Sequence, residues 1–249
     1  MMPNEEIVQL VMNQMEELQA KHPDLELIVS ASGDLIVTGV VRFCIEHEGR
    51  TVRDAYQIAL VVPSDYPSTP PVVWETGNAI PQDFHKFKPG NLCLGAPVEV
   101  RRVFAQHKSL LGFIDRQVIP HLFSHSYRRD YGELPHGELP HGFLGLLEYY
   151  ADFFGIGRLT AMKLLKLLAD GFVPPLMKCP CGRGKKLRDC HGPKLEELRP
   201  HYPPQSFEAE LRGMISALEA QGIRLPERIL PRRLLKNREK RRRRKAKRG

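Results

Sequence analysis

Long hydrophobic runs are missing from this sequence. None approaches the roughly 20 apolar residues that a helix needs to span a bilayer, so a helical membrane protein is not expected. The start, Met1-Met-Pro-Asn-Glu-Glu6, lacks the basic segment and apolar run of a secretory signal, so a cytoplasmic location is expected. Cysteine is scarce, five in 249 residues, and unevenly placed. Cys179, Cys181 and Cys190 cluster, Cys93 stands alone, and Cys44 falls in an apolar, strand-like stretch. That distribution argues against a disulfide framework and reads as a metal site, a free thiol and a core residue. Aromatics are absent from Arg232 to Gly249, which therefore offers no base-stacking platform.

Charge is plentiful but lopsided. The chain carries a net +8, yet Arg232–Gly249 alone holds twelve Lys/Arg against the single acid Glu239, a net +11. Residues 1–231 are thus left at −3, a mildly acidic body with a basic tail. Like charges repel and nothing in the tail can form a core, so a disordered end is expected over 231–249. Two uses are open: a solubilising end, or a clamp for nucleic-acid phosphates, ribosomes, acidic proteins or an anionic membrane surface. With 42% hydrophobic residues, the body has the material for a sizeable core.

Residues 4–21 predict a helix, capped by Asn4, with Glu5 and Glu6 in the first turn and Ile7, Leu10, Val11, Met15 and Leu18 on one face. Strand-like runs follow at Leu25–Ser30, Leu35–Glu46, Thr51–Val62 and Pro71–Trp74. Short turns between them favour an antiparallel meander, and helix, meander, then helices make an α+β domain. A helical pattern over Ser109–Ser124 contains Pro120, which predicts a kink or an early end. Gly132-Glu-Leu-Pro-His136 recurs at once as Gly137-Glu-Leu-Pro-His141, too short a repeat for a solenoid and read as a loop with surface histidines. Further helices are expected over Phe143–Phe154, Arg158–Asp170 and Ser206–Gln221, with Ser206 as cap.

Two constellations carry chemistry. The first runs from Tyr66-Pro67-Ser-Thr-Pro70-Pro71 through His85 and Gly90 to Cys93-Leu94. Proline gives no N–H to a sheet ladder, so this segment turns the chain and holds the next loop in place. Cys93 on that loop is either a half-buried packing residue or a nucleophile. In order and type these pieces resemble the ubiquitin-conjugating enzymes over roughly residues 1–155. That family has an N-terminal helix, a four-stranded meander, a Tyr-Pro-x-x-Pro-Pro segment and an active-site Cys-Leu. The resemblance implies that Cys93 carries a ubiquitin-like protein, received from an activating enzyme, as a thioester and passes it to a target. The family's His-Pro-Asn tripeptide is absent, as is the tryptophan usual after the cysteine. His85 stands where the family's asparagine would be, eight residues before Cys93, and is the candidate oxyanion donor. These departures look like the divergent bacterial relatives of antiphage and ubiquitin-like operons.

The second constellation is Cys179-Pro-Cys181-Gly-Arg-Gly-Lys-Lys-Leu-Arg-Asp-Cys190-His191. Three thiolates and an imidazole can fill all four positions of a tetrahedral Zn²⁺, which makes the ion structural rather than catalytic. The segment closely resembles the zinc motif at the C-terminus of the SecA translocase. The expected organisation is a conjugating-like domain at 1–155, a helical connector at 156–175, the zinc motif at 176–193, a helical segment at 194–230 and the tail at 231–249. The alternative is a non-catalytic adaptor that binds a ubiquitin-like protein, nucleic acid or ribosomes through the zinc motif and tail.

Overall fold

The computed structural model describes residues 4–135, 142–226 and 229–230. The chain divides into two compact units, Met1–Glu138 and Leu139–Gly249. It is α+β, with one four-stranded antiparallel sheet among the described residues, in the order β1-β2-β3-β4. No described helix is long and apolar enough to cross a membrane.

The first unit opens with α1 (Glu5–Lys21), whose first turn is closed by Asn4 Oδ1 accepting the Glu6 N–H. The meander is β1 (Leu25–Val29), β2 (Leu35–His47), β3 (Arg50–Val62) and β4 (Val72–Glu75). Gly39 is obligatory at the first crossing. Its φ is +137°, and a Cβ there would sit 2.0 Å from the Asp24 carbonyl oxygen. Period-two alternation sends Val37, Val41, Ile58 and Leu60 into the core, where they meet Val11 and Leu18 of α1. Each such side chain removed from water stabilises the fold by about 1.5–3 kcal/mol. The same alternation corrects the reading of Cys44: Phe43 takes the inward position, so Cys44 is exposed.

Two helices differ from expectation. The residues after Cys93 form α2 (Pro97–Gln106), which starts on a proline and buries Val98 and Phe104. Pro120 does not end its helix. After α3 (Leu110–Phe113), the π-turn Ile114–Val118 widens the spiral so that Ile119 N–H reaches the Ile114 carbonyl. Pro120 then falls in the first turn of α4 (Ile119–Tyr131), where its missing N–H costs little. α4 runs to Tyr131, packed on β2 and β3.

The second unit contains α5 (Gly142–Phe154), α6 (Arg158–Ala169), α7 (Gly192–Leu198) and α8 (Pro204–Ala220). α5, expected at the end of the first domain, packs on α6 and α8 instead. α8 starts two residues before Ser206, with Pro203 at the cap position. Inside this unit Tyr150 Oη donates to Glu210 Oε2 at 2.6 Å. Burial pushes the Glu210 carboxyl up to about 7, against the opposing hydrogen bonds from Tyr150 and Tyr202.

A raised carboxyl pKa means the native state binds the proton more tightly than the unfolded chain. Its contribution is therefore full below the ordinary value of 4.5 and is lost as pH rises through about 7. Glu210→Gln is expected to match the wild type near pH 5 and to exceed it by on the order of 2–3 kcal/mol at pH 8. Calorimetric melting of the full chain across that range checks it; a constant difference would contradict the assignment.

Candidate functional site

The loop carrying Cys93 is built outward from the end of β4. Glu75 has a side chain closed to water, and its carboxylate accepts N–H bonds from Ala79 and Ile80, both at 3.1 Å. Lys86 Nζ lies 3.4 Å from Glu75 Oε2 and donates to the Ile80 carbonyl at 2.7 Å. A buried carboxylate is tolerable only when its oxygens are satisfied in this way, and the bonds fix residues 75–86 as one piece. The chain then doubles back: Phe87 N–H donates to the Asn91 carbonyl at 2.9 Å, and Leu92 N–H to the Val73 carbonyl at 2.8 Å. Cys93 follows, its N–H held by the His85 carbonyl at 2.7 Å.

The proline segment is anchored from the other side. Tyr66, which precedes the cis peptide to Pro67, is buried and donates to Gln14 Oε1 of α1 at 2.5 Å. The same oxygen accepts the Leu110 N–H at 2.9 Å, tying α1, the proline segment and α3 together.

Cys93 is half-buried, with Sγ 3.9 Å from the Gly95 carbonyl. Burial pushes the thiol up from its ordinary value, so the protonated form prevails at neutral pH. His85 has a left-handed backbone (φ +42°), unusual for a residue with a Cβ. Its carbonyl meets Cys93, while its ring packs edge-on against Phe84 at 5.1 Å and lies 6.2 Å from the ring of His121.

His121 and His125 were not singled out from the sequence. Their signal was present: two histidines four residues apart, hence on one face of the helix. Phe84 is the hub, 5.7 Å from the His121 ring and 4.9 Å from that of His125. His121 hydrogen-bonds the Cys93 backbone carbonyl, while its Nε2 is enclosed without a partner among the described residues. Burial, reinforced by His85, His125 and Lys86, lowers His121 to about 3, so the ring is neutral. His125 Nδ1 lies 2.7 Å from Tyr56 Oη, which lies 2.7 Å from Ser126 Oγ. Ser126 donates to Asp54 at 2.7 Å, and Arg129 donates to the same oxygen at 2.8 Å.

Arg102 makes a two-pronged pair with Glu99, and Arg101 reaches Thr69 Oγ1 at 3.3 Å. The first repeat docks through Arg50–Glu133 at 2.7 Å and His47–Pro135 O at 3.2 Å. His136, His141 and the basic tail lie outside the described residues.

In the second unit the ligand atoms of Cys179, Cys181, Cys190 and His191 all lie within 4.8 Å of one another and could hold a metal ion. His191 Nδ1 is 3.2 Å from the sulfurs of both Cys179 and Cys190, and Cys181 Sγ is 3.5 Å from Cys190 Sγ. Tetrahedral sites with metal–sulfur bonds of about 2.3 Å need ligand separations of roughly 3.5–3.8 Å, which these donors can adopt by small shifts. A two-stranded turn gathers them: Cys179 N–H donates to the Lys185 carbonyl at 2.9 Å, and Leu187 N–H to the Met177 carbonyl at 2.8 Å. Gly192 lets the next helix start close by, since a Cβ there would lie 2.7 Å from the Leu187 carbonyl. His191 also hydrogen-bonds the Phe154 backbone carbonyl, an outer contact of the kind that sets the tautomer of a metal-binding histidine.

No protein-family model matches the chain, and no curated protein matches its sequence at a significant level.

Cobalt(II), as an optical probe, is expected to give tetrahedral visible bands with the full chain. Cys190→Ala is expected to weaken cobalt binding at least about 100-fold, more than loss of an outer-shell partner would. Unchanged cobalt spectra in the variant would remove Cys190 from the ligand set.

Proposed function

We propose that this chain is a bacterial transferase of the ubiquitin-conjugating type, with Cys93 carrying a ubiquitin-like protein as a thioester. The observation that carries this reading is the setting of Cys93. It sits half-buried on a loop stapled to the end of a helix-plus-meander fold, its N–H held by the His85 carbonyl at 2.7 Å. A rigid loop presenting a thiol suits an acyl carrier, because transfer needs the sulfur fixed relative to the donors around it.

In loading, the Cys93 sulfur attacks the thioester carbonyl on an activating enzyme, and that enzyme's sulfur leaves with the proton. In transfer, an acceptor amine attacks the new thioester to form a tetrahedral oxyanion, whose collapse breaks the C–S bond and leaves an amide, with Cys93 Sγ taking the electron pair and the amine's proton. His85 is proposed to donate to that oxyanion in place of the family's asparagine, a role whose loss costs about 10²–10³ in rate. The four-ligand cluster takes Zn²⁺ as a structural ion, and the basic second unit selects the target. A role in an antiphage operon belongs to the same proposal.

One observation favours the rival reading, a non-catalytic adaptor for a ubiquitin-like protein or nucleic acid. Burial keeps the Cys93 thiol protonated, as it would for a packing residue. A non-reducing gel of the chain with its genomic neighbours' activating enzyme, ubiquitin-like protein and ATP separates the two. An adduct that thiols cleave and Cys93→Ala abolishes is the expected result. An activated modifier that never reaches Cys93 would favour the adaptor.

A further inference from the structure

We propose that the outer face of the knuckle that gathers the four metal donors, built on the cross-strand pair Lys178 and Lys186, binds the phosphate backbone of a nucleic-acid strand. This goes beyond the carrier reading and does not depend on Cys93. The two arms of the knuckle meet in an antiparallel bridge at Lys178 and Lys186. Backbone bonds flank that bridge, from Cys179 N–H to the Lys185 carbonyl and from Leu187 N–H to the Met177 carbonyl, so the lysines form the narrow, non-hydrogen-bonded kind of pair. Their side chains leave the ribbon on the same side, with Cβ atoms about 4.5–5.5 Å apart. Both are exposed, as is Lys185 beside them. Like charges placed directly opposite destabilise a ribbon, and among the described residues no carboxylate pairs with any of the three.

The charge around the pair calls for a polyanion. Residues 176–191 hold five Lys/Arg against the single acid Asp189, a net +4, which Zn²⁺ with three thiolates would lower by only one. The unit Leu139–Gly249 carries 25 Lys/Arg against 11 Asp/Glu, a net +14, while Met1–Glu138 carries 12 against 18, a net −6. The two forked cations of the knuckle are engaged locally: Arg188 turns to Asp189 at 3.5 Å, and the charge of Arg183 acts on Cys181 and His191. The groups left to meet a partner are ammoniums, point charges of the kind that bind phosphate, rather than forks that grip a carboxylate with two bonds. A single phosphate ion at so exposed a pair would gain little against solvent screening. A nucleic acid gains more, because each phosphate neutralised also releases condensed counterions. Residues 176–191 include no Phe, Tyr or Trp, so they offer bases no stacking face, and binding reads backbone charge alone.

Fluorescence anisotropy of the full chain with labelled oligo(U) and oligo(dT) of equal length, over a salt series, tests the surface. Lys178→Gln combined with Lys186→Gln is expected to weaken binding of both strands. It should also make the slope of log affinity against log salt shallower by about 1.4, two phosphate contacts at roughly 0.7 each. Lys178→Arg with Lys186→Arg keeps the charge and is expected to keep the wild-type slope. Arg212→Gln with Arg224→Gln removes the same charge from exposed positions on and beyond α8, and is expected to change the slope by less than half as much. No binding by the wild type, or equal slopes for the wild type and the lysine-to-glutamine variant, would overturn the proposal. So would an equal change in the arginine pair, or a preference of about tenfold or more for one strand, which backbone charge does not supply. Displacement of both strands by poly-glutamate at equal charge, lost with the same two lysines, would make the face one for an acidic protein and overturn the nucleic-acid assignment.

Discussion

A carboxylate closed to water at the end of a strand must find donors, and Glu75 finds three. Two are backbone N–H groups of the residues just beyond β4, and the third is the Lys86 ammonium. A buried pair of this kind adds little net stability over a well-packed apolar pair, but breaking it would strand a charge. It therefore acts chiefly on shape. It forces the chain after β4 into one path, which sets where His85 turns and where Cys93 emerges.

Around that loop the environment sorts polar groups by what it allows them to do. Asp54 has burial against it, yet bonds from Ser126, the Ala55 N–H and Arg129 hold it below the ordinary carboxylate range. Tyr56, in contact with the same network, is pushed up to about 12 by burial and stays a neutral hydrogen-bonding link. His121 has only a carbonyl to bond and is driven neutral. α4 thus carries a charged end, where Arg129 meets Asp54, and an uncharged one at His121.

The second unit solves a different problem. Its knuckle is too short to form a core of its own, with only Cys179, Leu187 and His191 buried over residues 176–191. Cross-links must substitute for burial there: backbone bonds between the two arms, the four gathered donors, and the tie from His191 to the Phe154 carbonyl.

Much of this was legible locally. α1, the four strands and the α+β class follow from caps, periodicity and turns, because each depends on neighbours a few residues away. The four metal donors were legible for the same reason, lying within thirteen residues of one another. Cys44 was misjudged because an apolar stretch does not say which of its two faces is buried; the register with β3 decides that. That the helix continues past Pro120 was not legible, because the π-turn preceding it is stabilised by packing of Phe113, Ile114 and Val118 into the core. Which surface covers α5 was not legible, because an amphipathic helix does not specify it. By itself, then, the sequence determined α1, the four strands and the nucleophile and metal-donor candidates, all set by short-range chemistry. Only the tertiary structure decided that His121, twenty-eight residues beyond Cys93, meets its carbonyl, because that contact requires the sheet, the Glu75 staple and α4 to be in place together.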